Sequence, residues 1–306
     1  MKLLVTGGSG FLGGFVLREA AVRGHTCLAL ARSEAAAGSV SLAGATPLAG
    51  DLGDSAPQLA RVFAAAGCDA LVNLASLGFG HAPGIVAAAE KAGLARSVFV
   101  STTAVTTSLP AASKRVRLAA EQCIRSSRLD WTIVRPTMIY GASGDRNLSR
   151  LLTVLRRTPV LPVPGGGTRL QPVHVADLAD AILTATERAS AVGRTYDVAG
   201  PHPLTLAELL AISAGAVNGR TRFVPVPLAP VVTAIRGYER LSKRPRIRAE
   251  QVLRLAEDKA FAIDDAVRDL GYAPRPFAAG ILAEACAMGF AIAPVHTHMP
   301  KCGSSA

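Results

Sequence analysis

Lys2 to Gly14 reads K-L-L-V-T-G-G-S-G-F-L-G-G, an apolar run of strand length feeding directly into T-G-x-x-G-x-x-G. Leu3, Leu4 and Val5 suit a strand buried on both faces, because a parallel strand covered by helices has no polar side. Gly7, Gly10 and Gly13 then let the backbone turn sharply, approach a ligand closely and bring a helix against that strand. The helix is expected to start near Phe11 and Leu12, with Phe15, Val16 and Leu17 continuing its apolar stripe. Its first N–H groups lack partners within the helix and lie at the positive end of the helix dipole, which suits a diphosphate. A plain glycine-rich turn would use the same residues. The strand before, the amphipathic helix and a second strand after it favour a dinucleotide site.

That second strand, Thr26 to Ala31, ends in Arg32-Ser33, where a carboxylate would read the ribose hydroxyls of NAD. A carboxylate would repel a 2′-phosphate, whereas a guanidinium and a hydroxyl would hold one. NADP is therefore expected ahead of NAD, the alternative being that Arg32 is an ordinary solvated arginine. After a third strand, Gly50-Asp51-Leu52 sets Asp51 to meet the adenine amino group.

With 306 residues, half of them apolar, the chain can bury one large core or two modest ones. No uninterrupted apolar run reaches the ~18 residues of a membrane helix, and the N-terminus opens on a strand rather than a leader, so a cytoplasmic protein with no membrane span is expected. Five widely spaced cysteines without a C-x-x-C pair indicate neither a disulfide framework nor a zinc site. The net charge of +11 favours anionic partners. Part of it clusters at Arg236, Arg240, Lys243, Arg244, Arg246 and Arg248, downstream of an apolar stripe at Leu228, Val231, Val232 and Ile235. Nucleic acid or an anionic membrane could use such a patch. No aromatic interleaving or nucleic-acid motif accompanies it, and a solvated helix face beside an active-site mouth is the preferred reading.

Strand-like runs at Lys2–Thr6, Cys27–Ala31, Ala70–Leu74, Ser97–Ser101 and Trp131–Arg135 alternate with helical segments. This is the α/β pattern of a doubly wound parallel sheet, the Rossmann arrangement, in which ligands sit beyond the carboxyl ends of the strands. After Arg135-Pro136 the texture shifts to Gly- and Pro-rich loops around shorter elements. Val173 to Thr186 and Thr195 to Ala199 read as a helix and a strand returning to the sheet. The expected division is a dinucleotide-binding domain over residues 1–140 and about 171–200, and a smaller discontinuous cap over 141–170 and about 201–290. Residues 291–306 read as a loosely held tail, in which His296 and His298 lack the further ligands a metal would need.

The combination T-G-G-S-G-F-L-G (Thr6 to Gly13), G-D-L (Gly50 to Leu52), N-L-A (Asn73 to Ala75), S-T-T (Ser101 to Thr103), R-P-T-x-x-Y-G (Arg135 to Gly141), Q-P-V-H-V-x-D-L-A (Gln171 to Ala179) and D-x-x-x-x-L-G-Y-x-P-R (Asp265 to Arg275) resembles the extended and atypical short-chain dehydrogenase/reductases, up to about Phe290. That group includes nucleotide-sugar epimerases, dehydratases and NADP-dependent reductases. The resemblance implies that Asn73 and Ala75 lie beside the nicotinamide ribose, and Pro136 and Thr137 beside the carboxamide. Thr102 or Thr103 would offer a hydroxyl to the substrate, while Phe11, Leu12, Leu52 and Ser101 would fall on the cofactor side.

One departure matters. The family's proton donor is the Tyr of Y-x-x-x-K, and no tyrosine occurs between Met1 and Ile139. Alignment on the helix Leu118 to Ser126 puts Ser113 at the Tyr position and Arg117 at the Lys position; alignment on Ser113-Lys114 puts Pro110 at the Tyr position and keeps Lys114 as the lysine. A serine hydroxyl is a poor acid, whereas Arg117 could still hold ribose hydroxyls or an oxyanion. Tyr140, His174 and His81 are the other candidates for proton transfer or substrate contact. Arg146, Asn147 and Arg150 could grip a substrate carboxylate or phosphate.

The leading expectation is an NADP-dependent oxidoreductase acting on a small-molecule carbonyl or enone. A redox-neutral epimerase, dehydratase or cyclase is the first alternative, and a non-enzymatic NADP-binding sensor or assembly protein the second. A small-molecule substrate is the expected partner, without specific nucleic acid, and a homodimer fits the reading.

Overall fold

The computed structural model describes residues 1–108, 112–142, 144–145, 147–164, 166–242, 253 and 257–290. Its first half runs β1 (Lys2–Thr6), α1 (Phe11–Val22), β2 (Thr26–Ala31), α2 (Glu34–Leu42), β3 (Thr46–Ala49), α3 (Ala56–Ala66), β4 (Ala70–Asn73), α4 (Ala82–Lys91), β5 (Arg96–Val100), α5 (Ala112–Arg125) and β6 (Asp130–Pro136). There follow β7 (Ile139–Tyr140), α6 (Leu148–Arg157), β8 (Val160–Pro164), β9 (Arg169–Leu170), β10 (Val173–His174), α7 (Val175–Glu187) and β11 (Arg194–Val198). The chain continues through β12 (Leu204–Thr205), α8 (Leu206–Ala216), β13 (Arg222–Val226), α9 (Leu228–Leu241), α10 (Asp264–Leu270) and α11 (Phe277–Ala287).

Seven strands form one parallel sheet in the order β11-β6-β5-β4-β1-β2-β3. The order reverses between β1 and β4, so a crevice opens beyond their carboxyl ends. Leu3, Leu4 and Val5 are fully buried because their sides alternate between two cores. Leu3 and Val5 join Val16, Leu17, Leu178 and Ile182 under α1 and α7, while Leu4 joins Leu59, Phe63, Ile85 and Phe99 under α3 and α4. Each fully buried aliphatic side chain contributes about 1.5–3 kcal/mol by leaving water. The doubly wound α/β expectation holds.

A third core gathers Tyr140, Leu148, Leu152, Leu155, Leu206, Leu209, Leu210, Phe277 and Ile281. It joins α6, α8 and α11, flanked by the parallel pair β8–β13 and the antiparallel pair β9–β12. One stretch of the expected cap packs elsewhere. Ala266, Leu270 and Tyr272 bury against the α1–α7 core, and the Tyr272 hydroxyl donates to the Ala199 carbonyl at 2.8 Å. The segment around α10 therefore belongs with the sheet, since its apolar residues face α7 and β11. The expected helix from Val173 also starts later: Val173 and His174 pair in parallel with Ile139 and Tyr140, and α7 begins at Val175. Among the described residues no helix is long and apolar enough to cross a membrane, and no group of three His, Cys, Asp or Glu is arranged to hold a metal. Pro110, Arg146, Lys243, Arg244, Arg246, Arg248 and the tail with His296 and His298 lie outside the described residues.

Candidate active site

Two clefts lie along the carboxyl edge of the sheet. The first, about 380 Å³, is lined by Gly7, Ser9, Gly10, Arg32, Gly50, Asp51, Leu52, Ala75, Ser76, Phe79 and His81. Gly7 has φ +72°, and a β-carbon there would lie 2.8 Å from the Ala75 amide nitrogen. At Gly13 it would lie 2.4 Å from the carbonyl oxygens of Gly7 and Gly8, so α1 approaches the turn only because the side chain is missing. Gly10 differs, for its β-carbon would meet only the Gly7 oxygen, at 3.2 Å. Gly10 itself lines the first cleft. Gly10 caps α1 without a side-chain hydrogen bond, and the first turn carries no acid. The exposed amide dipoles suit a bound anion. A dinucleotide's diphosphate fits this cradle.

Arg32 is exposed at the end of β2, and Ser33 caps α2 by accepting from the Ala36 amide at 3.3 Å. Asp51 accepts from the Gly53 amide at 2.8 Å, which fixes its carboxylate at the cleft edge. Asn73 is buried; it accepts from Thr6 Oγ1 at 2.6 Å and donates to the Ala75 carbonyl at 3.1 Å, so it shapes the loop after β4. Phe11 stacks edge-on with Phe15, and a β-carbon at Gly144 would lie 3.3 Å from its ring. Leu12 packs on the α1–α7 core.

The second cleft, about 410 Å³, is lined by Thr102, Thr103, Thr106, Thr107, Ser113, Lys114, Arg117, Thr137, Met138, Asn147, Glu257, Asp258, Lys259 and Phe261. Both alignments of α5 put residues here, yet the side chains diverge. The Arg117 guanidinium lies over Gly78, where a β-carbon would be 3.2 Å from it, on the 3-10 turn Leu77–Phe79 beside the first cleft. Lys114 turns the other way and donates to the Thr107 carbonyl. Thr102 caps the turn Thr103–Thr106 by accepting from the Ala104 amide at 3.2 Å, and the Thr103 hydroxyl donates to the Pro136 carbonyl at 3.3 Å.

The far wall is a segment that no local sequence pattern announces. Glu257 accepts from Thr107 Oγ1, from the Ser108 amide at 2.6 Å and from Ser108 Oγ at 2.8 Å. The Phe261 amide donates to Gln171 Oε1 at 2.8 Å; Gln171 Nε2 donates to the Gly200 carbonyl at 2.7 Å, and its own carbonyl accepts from Thr137 Oγ1 at 2.5 Å. Gln171 thus ties three distant stretches behind the cleft. Below it, the fully buried Glu121 accepts from Ser101 Oγ at 2.7 Å, Arg135 Nε at 2.9 Å and Arg125 at 3.0 Å. Burial alone would raise the Glu121 pKa, but the hydrogen bonds from Arg135 and Ser101 hold it below the usual carboxylate range. The Ser101 hydroxyl is therefore engaged beneath the site.

Three candidate residues stand apart from this second cleft. His81 lines the first cleft with Arg32 and Asp51, because it precedes α4 on the loop after β4. Tyr140 and His174 line neither cleft. They are 1% and 6% exposed, with rings packed edge-to-face at 5.3 Å, and Tyr140 also packs on Phe277. Burial first, then the Asp177 charge, pushes the Tyr140 phenol well up. Burial and the Arg275 charge push His174 down to about 4, so the imidazole is neutral, and its Nδ1 accepts from the Ala176 amide at 3.2 Å. Both side chains are thus packed into the interior beside the third core, away from the two clefts.

A turn rich in glycine at a helix N-terminus, beneath a sheet whose order reverses there, defines a dinucleotide-binding Rossmann protein of the extended short-chain dehydrogenase/reductase and epimerase-like type. The chain belongs to the NAD(P)H-binding family, whose model matches residues 7–188. It is 30% identical over 90% of its length to the 4-hydroxy-2-methyl-3-oxo-4-farnesyl-3,4-dihydroquinoline-1-oxide ketoreductase of Stigmatella aurantiaca, covering 92% of that enzyme. It is 28% identical, again over 90% of the chain and covering 95% of the relative, to the 2-alkyl-3-oxoalkanoate reductase of Stenotrophomonas maltophilia. A third relative is matched only in part. Identity to subunit 9 of the NADH dehydrogenase [ubiquinone] 1 alpha subcomplex of Arabidopsis thaliana is 32% over 60% of the chain, which spans 46% of that subunit. The fold superposes on the UDP-glucose 4-epimerase of Thermotoga maritima with a TM-score of 0.72 over 94% of this chain and 99% of that one, at 16% identity.

Proposed function

We propose that the protein is a cytoplasmic NADP-dependent ketoreductase whose substrate is a ketone carrying a bulky apolar substituent. The observation that carries this reading is the adjacency of two clefts, one with the glycine cradle and Arg32, the other with hydroxyls and cations around an open volume. The two relatives matched along nearly their whole length are named for reducing 3-oxo compounds with alkyl or farnesyl groups, which supports the choice of substrate class.

When bound, the reduced nicotinamide supplies a hydride. The chain's own residues do the rest. Gly7, Gly10 and the N-terminus of α1 hold the diphosphate, Arg32 pairs with the 2′-phosphate, and Asp51 takes the adenine amino group. Arg117, directed over Gly78, holds the nicotinamide ribose in place of the family's lysine. Pro136 and Thr137 border the carboxamide, and Thr102 and Asn147 orient the carbonyl. Ser113 donates hydrogen bonds without surrendering its proton, since a hydroxyl is too weak an acid.

Absorbance of reduced nicotinamide, followed with 2-alkyl-3-oxo esters and cyclic ketones, tests the reading. Consumption of NADPH with one of them is the expected result. Tight NADPH binding with no consumption would instead favour a non-enzymatic NADP-binding protein, a second reading that the missing phenol and the likeness to a respiratory-complex subunit support. In the first case Ser113→Ala retains most turnover, while Arg117→Ala loses about tenfold in NADPH affinity because a two-pronged donor to the ribose disappears.

A further inference from the structure

We infer that Lys114 is the general acid of this site, replacing the absent phenol with an ammonium; the inference rests on the ketoreductase reading. A carbonyl reduction needs a proton on oxygen as the hydride arrives, and few groups around the second cleft can release one. Arginine stays protonated throughout, which removes Arg117. His81 lies in the other cleft, and Tyr140 and His174 are buried away from both. An ammonium carries a proton that it can release to a substrate oxygen, as the missing phenol would.

The geometry favours Lys114 for that role. It sits on the first turn of α5, next to Ser113 in the chain, and lines the cleft together with Thr102. Its ammonium donates to the Thr107 carbonyl, a neutral acceptor that fixes the nitrogen without being able to take its proton. The nearby carboxylate is already engaged: Glu257 receives the Thr107 hydroxyl, the Ser108 amide and the Ser108 hydroxyl. Among the described residues no carboxylate forms an ion pair with Lys114. The same threonine that anchors the ammonium through its carbonyl thus occupies Glu257 through its hydroxyl. That leaves the cation to face a substrate oxygen.

The carbonyl carbon accepts the hydride of the reduced nicotinamide, the C=O π pair moves to oxygen, and that oxygen takes a proton from the Lys114 ammonium. A secondary alcohol, oxidised nicotinamide and a neutral amine result, and the amine regains its proton from water at the cleft mouth.

Calorimetric titration of NADPH into the full chain, paired with steady-state reduction of ethyl 2-methylacetoacetate and a panel of cyclic ketones, tests the assignment. Lys114→Met should lower kcat by about 100-fold or more, the usual worth of a general acid, with KM and NADPH affinity within about threefold of the parent. Lys114→Arg should be equally slow, since it keeps the charge and loses the transferable proton. Retained kcat in either variant would overturn the inference. So would a loss confined to KM, which would mark Lys114 as a substrate anchor, or a loss of NADPH affinity, which would return it to the ribose. A comparable kcat loss in Lys259→Met with Lys114→Met unaffected would move the role to the opposite wall. Failure of the parent protein to consume NADPH with any probe would overturn the ketoreductase reading itself, and this inference with it.

Discussion

The glycines after β1 look equivalent in sequence, and the side chain each one lacks would meet different neighbours. At Gly13 a methyl would strike two carbonyl oxygens at 2.4 Å, whereas at Gly10, which lines the first cleft, it would touch one at 3.2 Å. Gly10→Val should therefore leave the melting temperature within a few degrees of the parent and weaken NADPH at least about tenfold; calorimetry and thermal unfolding read the two effects separately. A second residue-scale test concerns Glu284, fully buried beside Asp145, with Oε2 accepting from the Gly141 amide at 3.1 Å. Burial, then the Asp145 charge facing it, raises its carboxyl to about 8. A raised folded pKa means that stability is fully present below the ordinary carboxylate range and is lost as pH rises through about 8. Glu284→Gln should accordingly gain about 3 °C or more over the parent at pH near 8.5 and gain little near pH 4.5. Equal melting curves at both pH values would show that the carboxyl titrates normally.

At the scale of elements, α7 begins with a histidine doing the work of a cap. His174 Nδ1 accepts from the Ala176 amide while its ring packs against Tyr140. Truncation to alanine should cost about 1 kcal/mol for the cap, and more for the lost ring contact. NADPH affinity and turnover should stay unchanged, and a selective loss of turnover would restore His174 as a catalytic candidate. The sheet was legible in the sequence because each parallel strand is a continuous apolar run: β1 occupies the expected residues, β2 does so to within its first residue, β4 ends one residue early, and β5 and β6 differ by a residue at each end. The first cleft was legible for the same reason, since a glycine spacing is local. What escaped were features made by distance. Val173-His174 reads as the start of a helix but pairs with Ile139-Tyr140, and that pairing draws two polar rings into the third core. Glu257 reaches the Thr107-Ser108 loop across about 150 residues with no motif at either end. The two alignments of α5, equal by residue type, separate only when Arg117 is seen over Gly78 and Lys114 against Thr107.

The whole molecule joins a widely shared sheet to an individual wall. Gly7, Gly10, Asp51 and Asn73 sit at strand ends that the fold sets in place, and on the proposed reading they would serve any dinucleotide. On the same reading Arg32 is the residue that sets which dinucleotide is preferred. A charge-assisted pair with a 2′-phosphate contributes on the order of 1.5–3 kcal/mol, or at least about tenfold in affinity. The second cleft is walled by α5 on one side and residues 257–261 on the other; on the proposed reading it sets substrate choice, with Met138 and Phe261 supplying apolar lining for an alkyl arm. The most direct measurement is calorimetric titration of NADPH and NADH into the parent protein and into Arg32→Asp. NADPH should bind at least about tenfold more tightly than NADH to the parent, and Arg32→Asp should erase that preference; equal affinities in the parent, or no binding of either, would contradict the account.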